Sequence, residues 1–581
     1  MVRVSRLPRL VLLLPLLTLL GTVACGDDEP TTPTPDSGSH TVDAGTDAGI
    51  DAGHDAGPGA ETDAGADAGP ELDAGIDAGT ESDAGIDAGA ESDAGTELDA
   101  GTDAGTGTEA DAGTDGGVAC TPSGWVDEPA DLGVITNRSL DILVRLRAIP
   151  GLAVQENPNG VNVPTGYRLF VMKYNQPADH AHPECQRFEQ RVTLMHTSDA
   201  KPMVLYTGGY NVSVGTGRSE PAQLLAGNQI ALEHRFFPPS IPTPADWSHL
   251  TIRQSADDFH RITQALKPIY TGKWVSTGGS KGGETVVFFR RFYPDDVDAT
   301  VAYVAPIARR DDERFPAFQD TVGGAAQAAC RERLWAFQRE VLSRRERMLA
   351  LVDDYARTEG LTYTQLGREL VLEHAAIETY FAFWQYDAPS RCVQNIPGTD
   401  ATDQELFDAM DYEVGMGSFA DSGIAPYAAY YYQSALELGW PQPYEAHLGA
   451  LIHFPGTDTG EVYSPPGIPF VFRPQAMPDI QDWVSTQGNR LMFIYGSLDP
   501  WTAAAYSLGS AQDSYYYTVQ GGNHGARISQ LPAQQQTEAK ATLNRWMGVS
   551  PLKRAPKVSL EDEPPLFAPR LPPRLRAGSQ P

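Results

Sequence analysis

What this 581-residue sequence is short of sets its first limits. It is short of positive charge: 43 Lys and Arg stand against 76 Asp and Glu, a formal net charge of −33. Binding to nucleic acid by phosphate neutralisation needs clustered basic residues, so that class is excluded. Five cysteines are too few to hold a chain of this length together by disulfides alone. The apolar run at residues 10–20 is about half the roughly 20 residues that a membrane-spanning helix needs, and no longer run follows it. The poorest stretch is 26–119, which has no lysine, no arginine and no aromatic residue.

That stretch carries 25 acidic residues, so it alone supplies −25 of the net charge, and residues 120–581 are only mildly acidic. It contains 14 Asp-Ala-Gly triplets. With so little to bury and so much like charge, it is expected to be an extended, disordered acidic tether over 25–119. Regularly spaced aspartates also suggest calcium, but neither an EF-hand loop nor a Gly-Gly-x-Gly-x-Asp repeat is present. Ahead of it, Arg3, Arg6 and Arg9 precede the apolar run and Gly21-Thr22-Val23-Ala24-Cys25 closes it. Residues 1–24 read as a signal peptide of lipoprotein type, with Cys25 acylated, although Thr22 stands where Leu is commonest. An ordinary signal peptide cut near Ala24 is the alternative. The expected location is the cell envelope, outer membrane or surface, with membrane contact only through the lipid on Cys25. Without lipidation the protein would be secreted.

Setting Cys25 aside leaves four cysteines, an even number for an exported chain, with three possible pairings. Cys120–Cys185 and Cys330–Cys392 are preferred because each pair lies within one region. His180, His182 and Cys185 sit close together, but no second cluster at ligand spacing completes a metal site. Neither a metal nor a cofactor is expected.

From residue 167 onward, apolar strands alternate with helical stretches. Residues 167–174 and 186–197 alternate as paired strands, and 203–206, 229–237, 273–277 and 299–305 are further strands. Residues 255–269 have helical spacing after a Ser255-x-x-Asp258 capping signal, and 283–292 is a second helix. This rhythm implies a mainly parallel sheet covered on both faces. Between 309 and 480 it breaks into a helical insertion with a long helix at 331–358, another within 361–386, and an aromatic helix at 427–438. Strands at 491–495 and 515–519 and a helix at 533–546 resume the pattern. The expected organisation is a core at 120–308 and 481–548, a helical cap at 309–480, and a Pro- and Arg-rich tail at 549–581.

Gly278-Gly279-Ser280-Lys281-Gly282 matches Gly-x-Ser-x-Gly between a strand and a helix, the setting in which a sharp turn exposes a serine nucleophile. A hydroxyl nucleophile needs a base, and the base needs a carboxylate to orient it. Asp499 follows the 491–495 strand and His524 follows the 515–519 strand, which gives the chain order Ser, Asp, His. The backbone N–H of Lys281, with that of Gly209 or Tyr210 in Thr207-Gly208-Gly209-Tyr210-Asn211, is the expected oxyanion hole.

Those segments, with Glu233-His234-Arg235-Phe236-Phe237, Arg290-Arg291-Phe292-Tyr293-Pro294-Asp295 and Phe383-Trp384-Gln385-Tyr386, resemble the secreted bacterial prolyl tri- and tetrapeptidyl aminopeptidases. That family is in turn similar to the lysosomal Pro-X carboxypeptidase group. The resemblance covers about 125–548 and implies an α/β-hydrolase fold with a helical cap. It implies removal of short peptides from free N-termini, often after proline, with Ser280, Asp499 and His524 as the triad. A terminal ammonium calls for a carboxylate in a closed pocket, for which Glu233 and Glu378 are candidates. Phe383, Trp384 and Tyr386 are candidates for a proline pocket. Peptides are the expected partners. A lipase or esterase using the same triad is the near alternative, and a non-catalytic surface-displayed binding protein the more distant one.

Overall fold

The computed structural model of the protein describes Cys120, residues 122–551, Val558, Ser559 and Glu563. The expected signal peptide (1–24), Cys25 and the tether at 25–119 lie outside the described residues, as does most of the 549–581 tail.

Nine strands make one sheet: β1 Leu152–Glu156, β2 Arg168–Pro177, β3 Arg187–His196, β4 Met203–Tyr206, β5 Asn228–Leu232, β6 Trp274–Gly279, β7 Ala299–Tyr303, β8 Leu491–Gly496 and β9 Tyr515–Val519. Their order is β1-β2-β3-β5-β4-β6-β7-β8-β9. β1, β2 and β3 pair antiparallel and β3 joins β5 the same way; every pair from β5 to β9 is parallel. The β4/β5 exchange followed by parallel neighbours is the α/β-hydrolase arrangement, here with one added antiparallel edge strand, β1. β4, β5, β6, β7 and β8 are buried along their whole length. They therefore read as continuous apolar runs, as parallel strands covered on both faces do.

The helices used below are α1 Glu220–Leu225, α2 Ile252–Leu266, α3 Lys281–Phe292, α4 Ala328–Ser343, α5 Arg345–Glu359, α6 Arg368–Tyr386, α7 Asp403–Val414, α8 Ala428–Gln433, α9 Ala476–Gln487 and α10 Ala533–Trp546. Side chains alternate between the faces of each strand. Met203, Leu205, Ile230 and Leu232 meet Phe259 and Ile262 of α2 and Phe289 of α3 on one side. Val204, Val275, Val301 and Ile494 meet Leu224 of α1 and Leu543 and Trp546 of α10 on the other. Between β7 and β8 the chain builds a helical layer whose core joins Leu334, Phe337, Val352, Leu372, Tyr380 and Met410. Cys330–Cys392 closes within that layer, and Cys120–Cys185 ties the start of the described chain to the β2–β3 connection.

Three expectations need correction. The strand expected at 229–237 ends at Leu232: the Glu233 N–H still reaches the Arg191 carbonyl of β3, but the His234 N–H leaves the ladder for the Tyr210 carbonyl. The helix expected at 255–269 is capped by Thr251, whose Oγ1 accepts the Gln254 N–H at 3.1 Å. Ser255 is inside the helix, and Asp258, the expected second half of the cap, is instead buried against Arg235. The long helical stretch expected at 331–358 is divided into two helices, α4 and α5. They break at Arg344 (φ −95°, ψ 25°), whose guanidinium binds Asp403 and the carbonyls of Thr399 and Ala401. Neither Gly nor Pro marks that break in the sequence.

Candidate active site

β6 runs into α3 through Ser280, which sits at φ 53°, ψ −129°. A non-glycine residue there costs about 1–3 kcal/mol and persists only when its surroundings impose it. They do: the Ser280 N–H donates to the Tyr303 carbonyl at the end of β7 (2.9 Å). A Cβ on Gly278 would lie 2.4 Å from the Gly282 carbonyl, and one on Gly282 would lie 2.2 Å from the Thr207 carbonyl. Both glycines are thus required by close approach rather than by φ. The first turn of α3 leaves the Lys281, Gly282 and Gly283 N–H groups without intrahelical partners, facing this turn.

Asp499 and His524 lie on the loops after β8 and β9. His524 Nδ1 and Asp499 Oδ2 are 2.7 Å apart, and both side chains are fully buried. Asp499 Oδ1 also accepts the Trp501 N–H at 3.2 Å, which fixes the carboxylate at the head of a short 3-10 turn, Pro500–Ala504. A carboxylate on Nδ1 selects the Nδ1–H tautomer and turns Nε2 into the basic nitrogen. The His524 loop folds across the end of β8: a Cβ on Gly496 would lie 2.3 Å from the Asn523 carbonyl. From above, the Gln385 carbonyl at the end of α6 accepts the His524 N–H at 3.0 Å.

The loop after β4 touches the serine turn directly. Gly209 has φ +76°, and a Cβ there would fall 2.8 Å from both Gly282 N and the Lys281 carbonyl carbon. Its N–H donates to Thr207 Oγ1 at 3.0 Å, so of the two N–H groups expected to face an oxyanion from this loop, that of Gly209 is already engaged. The His234 N–H holds the Tyr210 carbonyl at 2.9 Å. Lys281 is buried, its ammonium 5.7 Å from the Tyr210 ring centroid and 5.9 Å from that of Phe237. Burial pulls its ammonium down to about 7, and burial pushes the neighbouring Glu284 carboxyl up to about 8, each opposed by the other's charge.

Ser280 lines a recess of about 190 Å³ with Tyr210, Glu378, Tyr386, Tyr430, Trp440 and Trp501. A second recess of about 190 Å³ shares most of that wall and adds Asp458 and Tyr463. Asp458 is buried, accepts the Tyr463 hydroxyl at 2.8 Å and is hydrogen-bonded to Glu378; burial pushes its carboxyl up.

Of the two carboxylates expected to face a substrate amine, Glu378 lines both recesses and Glu233 lines neither. Glu233 is buried against the Arg191 guanidinium, one contact being Oε1 to Nη2 at 3.1 Å, and burial pushes it up to about 8 against that charge. Arg235 grips Asp258 bidentately (2.8 and 2.7 Å) and the Ala178 and His249 carbonyls (both 2.8 Å). The Glu-His-Arg stretch is therefore a brace behind the Tyr210 loop. Phe383 and Trp384 are fully buried in the core of the helical layer, so among the aromatic candidates only Tyr386 reaches the recess. His180 binds Asp258 and His182 binds Asp179, each at 2.7 Å, and Cys185 is in its disulfide. Sequence reasoning missed Asp458, Tyr430, Trp440 and Trp501. Only Tyr430 had a signal, the aromatic helix at 427–438.

Together these parts are a hydroxyl on a forced turn, an imidazole with a fixed tautomer, a buried carboxylate and two backbone N–H groups. They are what acyl transfer needs.

The sequence profile of the family described as PS-10 peptidase S37 matches residues 135–573. The chain is 41% identical over 429 residues to the prolyl tri/tetrapeptidyl aminopeptidase of Streptomyces mobaraensis, covering 73% of this chain and 88% of that protein. A putative serine protease of Caenorhabditis elegans is 28% identical over 191 residues, 30% of this chain and 33% of that one. Among solved structures, the peroxisomal α/β-hydrolase Lpx1 of Saccharomyces cerevisiae aligns at 12% identity with a TM-score of 0.29, covering 68% of this chain and 94% of the other. At that score the likeness carries no argument; the fold rests on the strand order above.

Proposed function

This chain belongs to the S37 family of serine peptidases, and from that premise we propose that it is an exported exopeptidase releasing tripeptides, with a preference for proline, from free N-termini. Ser280 Oγ attacks the scissile carbonyl while His524 Nε2 takes its proton, and Asp499 stabilises the imidazolium that forms. The N–H groups of Lys281 and Tyr210 hold the oxyanion. The tetrahedral intermediate collapses to an acyl-enzyme on Ser280, with His524 returning the proton to the leaving amine. Water then repeats the cycle from the other side, with His524 again as base.

One observation carries the exopeptidase reading. The recess over Ser280 is walled in by the helical layer and has Glu378 on its lining, and Glu378 is hydrogen-bonded to Asp458 of the adjoining recess. A terminal ammonium is the group such a wall would select. Tyr386 and Trp440 supply flat apolar surface on which a pyrrolidine ring can lie. The proline preference is supported by the printed name of the Streptomyces relative. Export and lipid anchoring at Cys25 are supported by residues 1–25 of the sequence and by two disulfides in the described domain.

A fluorogenic Xaa-Xaa-Pro substrate tests the reading. Ser280→Ala should abolish turnover while the protein stays folded, and N-acetylation of the substrate should abolish its cleavage by the wild type. Equal turnover of blocked and unblocked peptides would remove the exopeptidase reading and leave an endopeptidase or esterase. Detergent extraction of wild type against Cys25→Ser tests the anchor: a wild-type protein released without detergent would sink it.

A further inference from the structure

Three residues of the C-terminal segment, Val558, Ser559 and Glu563, are placed on the core, and they bear on the loop that carries His524. Ser559 is clipped to α1 through its backbone. Its N–H donates to Gln223 Oε1 at 2.9 Å, and its carbonyl accepts from Gln223 Nε2 at 3.1 Å. Val558 packs on the apolar cluster formed by β7, β8, β9 and α10. Glu563 Oε2 accepts from Arg527 Nε at 2.7 Å, with the two side chains only 4% and 9% exposed.

Arg527 follows His524 by three residues. Its Nη1 donates to the carbonyls of Gly525 (3.0 Å) and Ala526 (3.1 Å), the two residues directly after the imidazole. Its guanidinium lies 5.6 Å from the centroid of the Tyr303 ring. Tyr303 is also the residue whose carbonyl receives the Ser280 N–H, and its hydroxyl donates to Glu220 Oε2 at 3.0 Å. Glu220, on α1, accepts the Ile528 N–H at 2.9 Å and the Ser529 N–H at 2.8 Å. The backbone from Gly525 to Ser529 is thus held at both ends, by Arg527 from within and by Glu220 from outside.

We propose that Glu563 is a positioning residue for the hydrolysis: by holding the Arg527 guanidinium it fixes the backbone at Gly525 and Ala526, and through it the aim of His524. The proposal rests on His524 being the general base. A buried guanidinium requires an anion, and removing one partner of such a pair leaves the other charge uncompensated. The other carboxylate nearby, Glu220, already takes two N–H groups and the Tyr303 hydroxyl. Without Glu563, Arg527 must turn toward Glu220 or toward water, and either movement drops the Gly525 and Ala526 carbonyls. The C-terminal segment, which its composition marks as an appendage, is then part of the catalytic frame. The family profile extends through it to residue 573.

The test compares wild type, full-length Glu563→Gln and a chain ending at Pro551. Each is assayed for kcat and KM on the fluorogenic tripeptide substrate, for the rate at which a fluorophosphonate labels Ser280, and for its melting temperature. The expected result is a fall in kcat on the order of 10- to 100-fold, the cost of slight misplacement of a catalytic group. KM should be unchanged and labelling slowed by a similar factor. Adding the peptide 552–581 to the shortened chain should restore kcat. Wild-type kcat and labelling in Glu563→Gln overturns the proposal, and so does a loss of kcat matched by loss of folded protein. If the shortened chain does not fold, Glu563→Gln alone decides. A wild-type protein that the probe fails to label would sink the His524 assignment itself, and this proposal with it.

Discussion

His524 Nδ1 lies 2.7 Å from Asp499 Oδ2, and neither side chain is exposed to solvent. The carboxylate therefore fixes the tautomer as well as compensating charge, and its amide replacement would present an N–H or a misplaced acceptor to the same nitrogen. Asp499→Asn should lower kcat on the order of 10⁴-fold with KM nearly unchanged, the pattern for a triad whose imidazole is held in the wrong tautomer. Steady-state kinetics on the tripeptide substrate check this; a loss below about tenfold would remove Asp499 from the triad.

Glu378 and Asp458 should govern binding rather than chemistry. Glu378→Gln and Asp458→Asn are each expected to raise KM for peptides with a free amine by about 30-fold or more, the cost of unpairing a buried charge contact. Turnover of a short acyl ester, which has no ammonium, should be preserved. Parallel KM measurements on the two substrate types separate this from general damage to the site.

Glu284 gives a stability prediction whose sign can be worked out. Burial pushes its carboxyl from 4.5 up to about 8. Between those values the folded state holds a proton that the unfolded chain has lost, so this group's contribution falls as pH rises from about 5 to 8. Lys281, pulled down to about 7, contributes the opposite slope above that pH. Glu284→Gln should therefore lose less stability than wild type between pH 5 and 8, by on the order of 1–3 kcal/mol. Denaturant titrations at both pH values measure it, and parallel curves would contradict the assignment.

The Cys330–Cys392 disulfide closes a separation of 62 residues inside the helical layer. Replacing both cysteines with serine should cost about 3–4 kcal/mol, read as a lower melting temperature. Because α6 ends at the His524 loop, activity at moderate temperature should fall earlier on heating than in wild type.

The proposed triad of Ser280, Asp499 and His524 stands out in the sequence because each member follows an apolar run that ends in glycines, and those runs are buried parallel strands. Their order along the chain mirrors their order along the sheet edge. The residues proposed to bind substrate were harder for a physical reason. Glu378 is on α6 and Asp458 on a loop eighty residues later, and nothing local in either segment marks their meeting. Glu233 was the more conspicuous acid, next to a strand end, yet conspicuousness there reflected a bond to Arg191 across the sheet. Asp258 fits a capping pattern by spacing alone, but a buried Arg235 claims it. The Arg344 break and the role of Glu563 depend on partners 55 to 59 residues away in one case and 36 in the other, beyond the reach of any local periodicity.

The Gln385 carbonyl that receives the His524 N–H belongs to the helical layer, not to the sheet that carries the rest of the triad. An outward swing of α6 would break that bond just as a peptide arrived, and the base would lose its alignment with the door open. On the proposed reading, a layer fastened in this way would act as a fixed housing with a port, into which a chain end would thread amine first.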